Sequence, residues 1–238
     1  MNFSIIIPAH NEENNIEKTI RTIKKDVLGN YEILVVDDHS IDGTAKIVIG
    51  LTKEYNNLIL ISNTKQASFA NTLRAGFEKV NSDIVIPVMA DLCDDPQDIN
   101  KMYEEIQKGF DIICGSRYMP GGKKEEGPKL KSFFSKIYSL SLYFLINIPT
   151  HDIANAFKMY KKKVVDSVAP DAKGFEISVE LPLKAFFAGY KISEIPTVWT
   201  DRKEGESKFR VSKQSLGYLW LYLWALKRSI SLCLKRNK

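Results

Sequence analysis

The chain has 238 residues, 44% of them hydrophobic and 26% charged, which suits one large globular domain or two small ones and excludes a disordered or fibrous protein. Its net charge of +5 is mildly basic, compatible with an anionic substrate or a membrane surface, and does not single out nucleic acid as a partner. The three cysteines, Cys93, Cys114 and Cys233, are odd in number and form no close pair, which argues against a disulfide framework and for a reducing compartment. No secretory signal is expected at the start, and no run of about 20 apolar residues predicts a membrane span.

Taken in order, Phe3–Ile7 is a short β-branched strand that Pro8 is expected to stop. Asn11 is placed to cap a helix with Glu12 and Glu13 in its first turn, and Ile16, Ile20 and Ile23 carry the helix to about Leu28. Tyr31–Val36 is a second strand ending in Asp37-Asp38, followed by a turn with Asp42 and Gly43 and a helix over Thr44–Tyr55. Leu58–Ser62 is strand, Ala70–Val80 helix, Ile84–Met89 strand, Pro96–Lys108 helix and Phe110–Cys114 strand. This alternation predicts an α/β fold, a Rossmann-like, mostly parallel sheet with helices on both faces over residues 1–115. Such a fold brings the turns Pro8–Glu12, Asp37–Thr44, Asp91–Asp95 and Gly115–Tyr118 to one sheet edge.

The character changes at Pro120. PGGKKEEGPK reads as a flexible charged loop. Lys131–Ile148 reads as a helix with Phe133, Ile137, Leu140 and Phe144 on one face and Lys131, Ser135 and Ser139 on another. Asp152–Tyr160 is loop then strand, Lys162–Val168 and Gly174–Gly189 are helices, and Lys191–Trp199 is a final strand. A polar loop, DRKEGESKFR, leads to a last helix over Leu216–Leu234. Within it, LGYLWLYLWAL lacks charge and is flanked by cations, which suits a membrane–water interface; packing on the domain is the alternative.

Singly, Asn11, Glu12, Asp37, Asp38 and Asp42 are ordinary strand-end and turn residues. Their arrival at one edge, with Asp91, Asp94 and Asp95 gathered after an apolar strand, points to a bound cation and a charged substrate.

The segments PAHNEENNI, VVDDHSIDGT, ADLCDDP, GSRYMPGG and DRKEGESKF resemble, in order and spacing, the successive signatures of family 2 glycosyltransferases. The likeness runs from about Phe3 to Phe209 and is nearest to the dolichyl- or polyprenyl-phosphate sugar synthase branch. It implies a glycosyltransferase A-type catalytic domain over residues 1–209, with a nucleotide-sugar half (1–115) and an acceptor half (116–209). An amphipathic helix over 210–238 would follow. It also implies a nucleoside-diphosphate sugar donor, a divalent cation (Mg²⁺ or Mn²⁺) and inversion at the sugar carbon.

By the same resemblance, Pro8, His10 and Glu12 line the nucleoside pocket with Val36 and Asp38, His10 standing where the family often has Tyr. Ala90 and Asp91 face the donor. Arg117 meets phosphate near the reacting centre, and Lys131 stands where relatives carry a second Arg, keeping the charge without the bidentate fork. Arg202 and Lys208 belong to a loop closing over the donor diphosphate, where cations offset charge on the leaving nucleotide.

The family's D-A-D is Met89-Ala90-Asp91 here. A thioether is a poor ligand for a hard cation, so Asp91 is the surviving metal ligand and Asp94 or Asp95 a substitute, unless Asp94-Asp95-Pro96 simply starts a helix. Cys93 also replaces a residue that often helps there. Asp152 is either a general base or an acceptor-site structural group, and Glu180 a further candidate or the partner of a buried cation. The absence of Q-x-x-R-W argues for a single transfer. The expected activity is transfer to a polyprenyl phosphate or other lipid-linked acceptor by a protein attached peripherally to the cytoplasmic membrane face. Transfer to a glycan hydroxyl and non-catalytic nucleotide-sugar binding are the alternatives.

Overall fold

In the computed structural model of the protein, residues 2–202 and 211–236 are described. β1 (Asn2–Ala9), β2 (Asn30–Asp37), β3 (Leu58–Ser62) and β4 (Ile84–Pro87) lie in the spatial order β3-β2-β1-β4, all parallel. Strands covered on both faces need near-continuous apolar runs. In β1 the side chains alternate between two cores: Phe3, Ile5 and Ile7 face one, Ile6 the other, all fully buried. α1 (Ile16–Asp26), α2 (Thr44–Leu51) and later α4 (Asp98–Gln107) cover the first core. α3 (Phe69–Lys79) covers the second through Leu73 and Phe77.

Three local expectations are corrected. β1 continues through Pro8, which pairs with Val36 while Ala9 pairs with Asp37. A proline removes one ladder donor only, and the Ala9 carbonyl again accepts from the Asp38 N–H at 2.8 Å. Asn11 is not a helix cap: it is left-handed (φ 53°), and α1 begins five residues later with Asn15 before it. β4 ends at Pro87, so Met89 and Asp91 lie beyond the ladder rather than at its last rung.

The second half completes the same sheet. Its elements are β5 (Ile112–Ser116), β6 (Lys123–Glu125), α5 (Lys129–Ile146), β7 (Lys158–Lys161), α6 (Lys162–Ser167), α7 (Ile177–Phe187), β8 (Ile192–Pro196), β9 (Val198–Thr200) and α8 (Val211–Arg236). The full order is β3-β2-β1-β4-β7-β5-β8, with β7 antiparallel to both neighbours and β8 parallel to β5. Because β7 is inserted between β4 and β5, residue 115 marks no boundary in the core. The charged segment after Pro120 is not all loop: β6 pairs in parallel with β9, and β9 in turn bridges Asp94 through Trp199.

α5 carries apolar residues on both sides. Ser139, Leu142 and Ile146 face the protein and are buried, while Phe133, Phe134, Ile137, Phe144 and Leu145 are exposed. α8 packs beside it: Tyr138 Oη donates to the Tyr218 carbonyl at 3.1 Å, and Leu221 and Ala225 enter the core. Leu219, Trp220 and Leu223 on α8 are exposed. None of the described helices is long and apolar enough to cross a membrane.

Candidate active site

The C-terminal ends of β1 and β2 are joined loop to loop. The His10 Nδ1 lies 2.6 Å from the Asp38 carbonyl, the Asn11 N–H donates to Ser40 Oγ at 3.0 Å, and Asn11 Oδ1 accepts from the Ile41 N–H at 2.9 Å. The Glu12 N–H donates to Thr44 Oγ1 at 2.9 Å, and Glu13 Oε2 accepts from the Gly43 N–H at 2.7 Å. The left-handed Asn11 and His39 (φ 59°) turn both loops toward each other, a conformation that Asn and His tolerate better than most residues. Asp38 is buried and accepts from Asn63 Nδ2 at 2.7 Å, so its role is to tie β2 to the end of β3. The Val36 side chain lies in the core and Pro8 is a buried ladder residue. Asp37 is the last residue of β2. Its Oδ1 is buried and, among the described residues, has no hydrogen-bond partner, an arrangement that asks for a ligand donor.

Beyond β4 the chain is fastened by the Ala90 carbonyl, which accepts from the buried Thr19 Oγ1 at 2.6 Å. Asp91 then turns back: its Oδ1 accepts from the Cys93 N–H at 3.2 Å and its Oδ2 from Arg202 Nη2 at 2.6 Å. Arg202 also lies 3.8 Å from Glu12, which brings three of the expected site residues together. Burial, then the charge of Asp91, pushes the Cys93 thiol up. Lys208 and the GESK segment lie outside the described residues.

Asp94 and Asp95 separate. Asp95 is exposed and caps the next turn, accepting from the Gln97 N–H at 2.9 Å, as expected of a helix-start residue. Asp94 is buried, and its Oδ1 accepts from Asn155 Nδ2 at 3.4 Å. Burial pushes its carboxyl up to about 7; Arg117 opposes the shift and Asp91 adds to it. Among the described residues no three His, Cys, Asp or Glu side chains gather to hold a metal. Asp91 is a hard oxygen donor, and Mg²⁺-type ions are commonly held by one or two carboxylates plus substrate phosphates. The site therefore fits a cation only when a phosphorylated ligand supplies the remaining oxygens.

On the other flank, Arg117 follows β5 and Asp152 precedes β7. Asp152 is fully buried, with Oδ2 accepting from Arg117 Nε at 2.6 Å and Oδ1 from Nη2 at 2.9 Å. It also accepts from the Arg117 N–H at 3.1 Å and from Ser139 Oγ of α5 at 3.5 Å, while its own backbone N–H donates to Thr150 Oγ1 at 3.2 Å. Burial alone would lower the Arg117 guanidinium, but the charge and hydrogen bonds of Asp152 more than reverse this. Ser135 of α5 accepts from Nη2 at 3.3 Å, while Nη1 has no protein partner among the described residues. Both Asp152 oxygens are engaged by Arg117, which they hold in place. Lys131 occupies the first turn of α5, one helical turn before Ser135.

Two residues in this region escaped sequence reasoning. Lys158, in the apolar-looking FKMY, is fully buried and donates to the carbonyls of Ile153, Asn155 and Ser178. The Ser178 carbonyl is available because Pro182, four residues on in α7, has no N–H to offer it. Lys158 thereby fixes the segment carrying Asp152 and Asn155. Asn155 Nδ2 also donates to the Gly115 carbonyl at 3.0 Å, joining this segment to β5. A proline inside a predicted helix was the available signal. Glu180, by contrast, is structural: it pairs with Lys184 at 2.8 Å and accepts from the N–H groups of Asp171 and Ala172.

The model of the glycosyl transferase family 2 domain matches residues 4–169. The dolichol-phosphate mannosyltransferase of Pyrococcus furiosus is 34% identical over 88% of this chain, and the chain spans only 60% of that protein's length. The polyprenol monophosphomannose synthase of Mycolicibacterium smegmatis is 28% identical over 86% of this chain and 79% of its own. Among solved structures, the glucosyl-3-phosphoglycerate synthase of Mycobacterium tuberculosis, crystallised with Mn²⁺, UDP and glucosyl-3-phosphoglycerate, superposes with a TM-score of 0.71 at 16% identity. That match covers 96% of this chain and 80% of the other. The last likeness establishes the fold, a glycosyltransferase A-type α/β architecture. With its strand-end site and the match across most of its length, the chain belongs to glycosyl transferase family 2.

Proposed function

We propose that the protein moves one sugar from a nucleoside-diphosphate sugar to a polyprenyl phosphate, with inversion, while attached peripherally to the cytoplasmic face of a membrane. The observation that carries this reading is the burial of Asp152 under Arg117. A hydroxyl acceptor needs a base in the transition state, whereas a phosphate is already an anionic nucleophile. The acceptor flank offers a guanidinium with a spare Nη1 and a committed carboxylate, which suits phosphate. The names of the Pyrococcus and Mycolicibacterium relatives support the same acceptor class.

On the donor flank, Asp37 accepts from the nucleoside and Arg202 exchanges Asp91 for a diphosphate oxygen. A divalent cation held by Asp91 and the donor diphosphate would supply charge neutralisation for the departing nucleoside diphosphate. The acceptor oxygen attacks the anomeric carbon from the face opposite the diphosphate. One carbon–oxygen bond forms and one breaks, giving the lipid phosphosugar and a nucleoside diphosphate. The exposed apolar faces of α5 and α8, with interfacial aromatics and flanking cations, support docking on a lipid surface beside Arg117.

A transfer assay tests this with UDP- and GDP-sugars, Mn²⁺ or Mg²⁺, and polyprenyl phosphate beside the matching polyprenol. Product with the phosphate and none with the alcohol is expected. A second reading, transfer to a sugar hydroxyl, is favoured by Asp94, whose carboxyl near 7 has the affinity of a general base. Turnover on glycan or polyprenol acceptors, lost in Asp94→Asn, would establish that reading instead.

A further inference from the structure

We propose that Lys124, held over the ring of Trp199, is a contact for the acceptor phosphate and sets acceptor affinity alongside Arg117. The assignment rests on the phosphate-acceptor reading above. It begins from placement. β6 puts Lys124 in register with Trp199 of β9, and Trp199 bridges Asp94, while the Thr200 N–H donates to the Cys93 carbonyl at 2.9 Å. Lys124 is thus one strand removed from the acidic loop that separates the two flanks.

The start of β6 is rigidly set. At Gly122 a Cβ would stand 2.2 Å from the Ser116 carbonyl oxygen, so only glycine lets the chain fold back against the Arg117 turn. The Gly122 N–H closes that turn on the Met119 carbonyl at 3.0 Å, and the Lys123 N–H donates to the Thr197 carbonyl at 3.0 Å. Lys123 and Glu125 on either side are exposed, whereas Lys124 is partly buried, as the alternation of a strand requires.

The charge balance then singles Lys124 out. Its ammonium lies 4.4 Å from the Trp199 ring centroid, and among the described residues it has neither a hydrogen bond nor a carboxylate in ion-pair range. Arg117, a neighbouring cation of this flank, is paired with the buried Asp152 carboxylate. Burial first, then the Arg117 charge, holds the Lys124 ammonium below the usual lysine range. A cation partly removed from water and resting on a ring face, with Asp201 and Asp152 attracting it only from beyond hydrogen-bond range, keeps its N–H donors for an anion. A phosphate placed against Arg117 Nη1 supplies that anion. Nothing in the sequence marks this residue, which sits among four other lysines between positions 123 and 136.

Binding of farnesyl phosphate, a short soluble polyprenyl phosphate, is measured by calorimetry on the wild-type chain and on Lys124→Met and Lys124→Arg. UDP and GDP serve as donor-side probes. Methionine keeps the apolar stem over Trp199 and removes the charge, while arginine keeps the charge. The expected result is a Kd for farnesyl phosphate raised about tenfold or more in Lys124→Met, largely recovered in Lys124→Arg, with nucleotide affinity little changed. Unchanged farnesyl phosphate binding in Lys124→Met, or a loss confined to the nucleotides, overturns the assignment. A parallel measurement follows acetylation of Lys124 by peptide mapping, with farnesyl phosphate, farnesol or inorganic phosphate present. Protection by inorganic phosphate but not by farnesyl phosphate keeps Lys124 as a phosphate contact and sinks only the lipid acceptor. Protection by neither overturns the Lys124 assignment itself.

Discussion

The two flanks of the site are built by different physics. The donor edge is assembled from the ends of parallel strands, and its loops are held by short hydrogen bonds between neighbouring turns, such as Asn11 to Ser40 and Ile41 and Glu12 to Thr44. Its charged groups, Glu12 and Arg202, stay partly accessible. The acceptor flank is a buried ionic assembly, Arg117 with Asp152, Asp94 with Asn155, and Lys158 on three carbonyls, with Ser135 and Ser139 of α5 bonded to the ion pair. The difference teaches where rigidity is needed. A donor carrying its own diphosphate can be grasped by loops that adjust. Under the proposed function, a phosphate at the end of a lipid would be met by a preorganised cation.

The sharpest way to break this comparison is to remove one partner on each side. Asp152→Ala strands a buried guanidinium and is expected to cost about 3–5 kcal/mol in denaturant unfolding. Glu12→Ala, whose carboxylate is 3.8 Å from Arg202, is expected to cost under about 1 kcal/mol. Equal losses would erase the distinction between the flanks.

Protonation probes the same burial. The folded chain raises the Asp94 carboxyl from 3.8 to about 7, so it binds this proton more tightly than the unfolded chain does. The stability contributed by the protonated form is complete below about pH 4 and is lost as pH rises towards 7, by up to about 4 kcal/mol. Asp94→Asn is expected to flatten that part of the melting-temperature profile; an unchanged profile would mean that Asp94 titrates normally.

At the donor edge the effects are on turnover. Asp91→Asn is expected to lower transfer about 10²–10³-fold or more with an almost unchanged melting temperature. Near-normal activity would end the account centred on Asp91. Met89→Asp adds a second hard oxygen and is expected to tighten Mn²⁺ activation about tenfold, read as the metal concentration for half-maximal rate. The smallest effect on folding belongs to the apolar surface. Phe134→Ser, Phe144→Ser and Trp220→Ser are each expected to change stability by about 0.5 kcal/mol or less. Together they should release the protein from phosphatidylglycerol vesicles; retained binding would move the membrane contact elsewhere.

Most of the donor half was legible in the sequence. Apolar runs of strand length, punctuated by polar turns, mark each βα unit, and strand ends in such a sheet share one edge whatever the exact boundaries. Asp91, Arg202 and Glu12 do converge there. The details that failed depend on single backbone groups. Pro8 stays in its ladder because one missing N–H is tolerated, and Asn11 turns left-handed because its amide is needed by the neighbouring loop. Val36 points into the core while the Asp37 carboxylate beside it does not, because the pleat sends alternate side chains to opposite sides.

The chain alone determined the parallel core, the edge at which chemistry is placed and the identity of the residues gathered there, because hydrophobic period and turn residues are local properties. The tertiary structure alone decided which charges meet. β7 enters the sheet antiparallel between β4 and β5 and carries Asp152 to Arg117, and α5 shows its phenylalanines to the outside. A charge run reads the same in sequence whether its members are solvated, paired or waiting for an anion. Only the folding of β6 against β9 separates Lys124 from the lysines around it, because burial and distance, on which electrostatic energy depends, are not written in spacing along a chain.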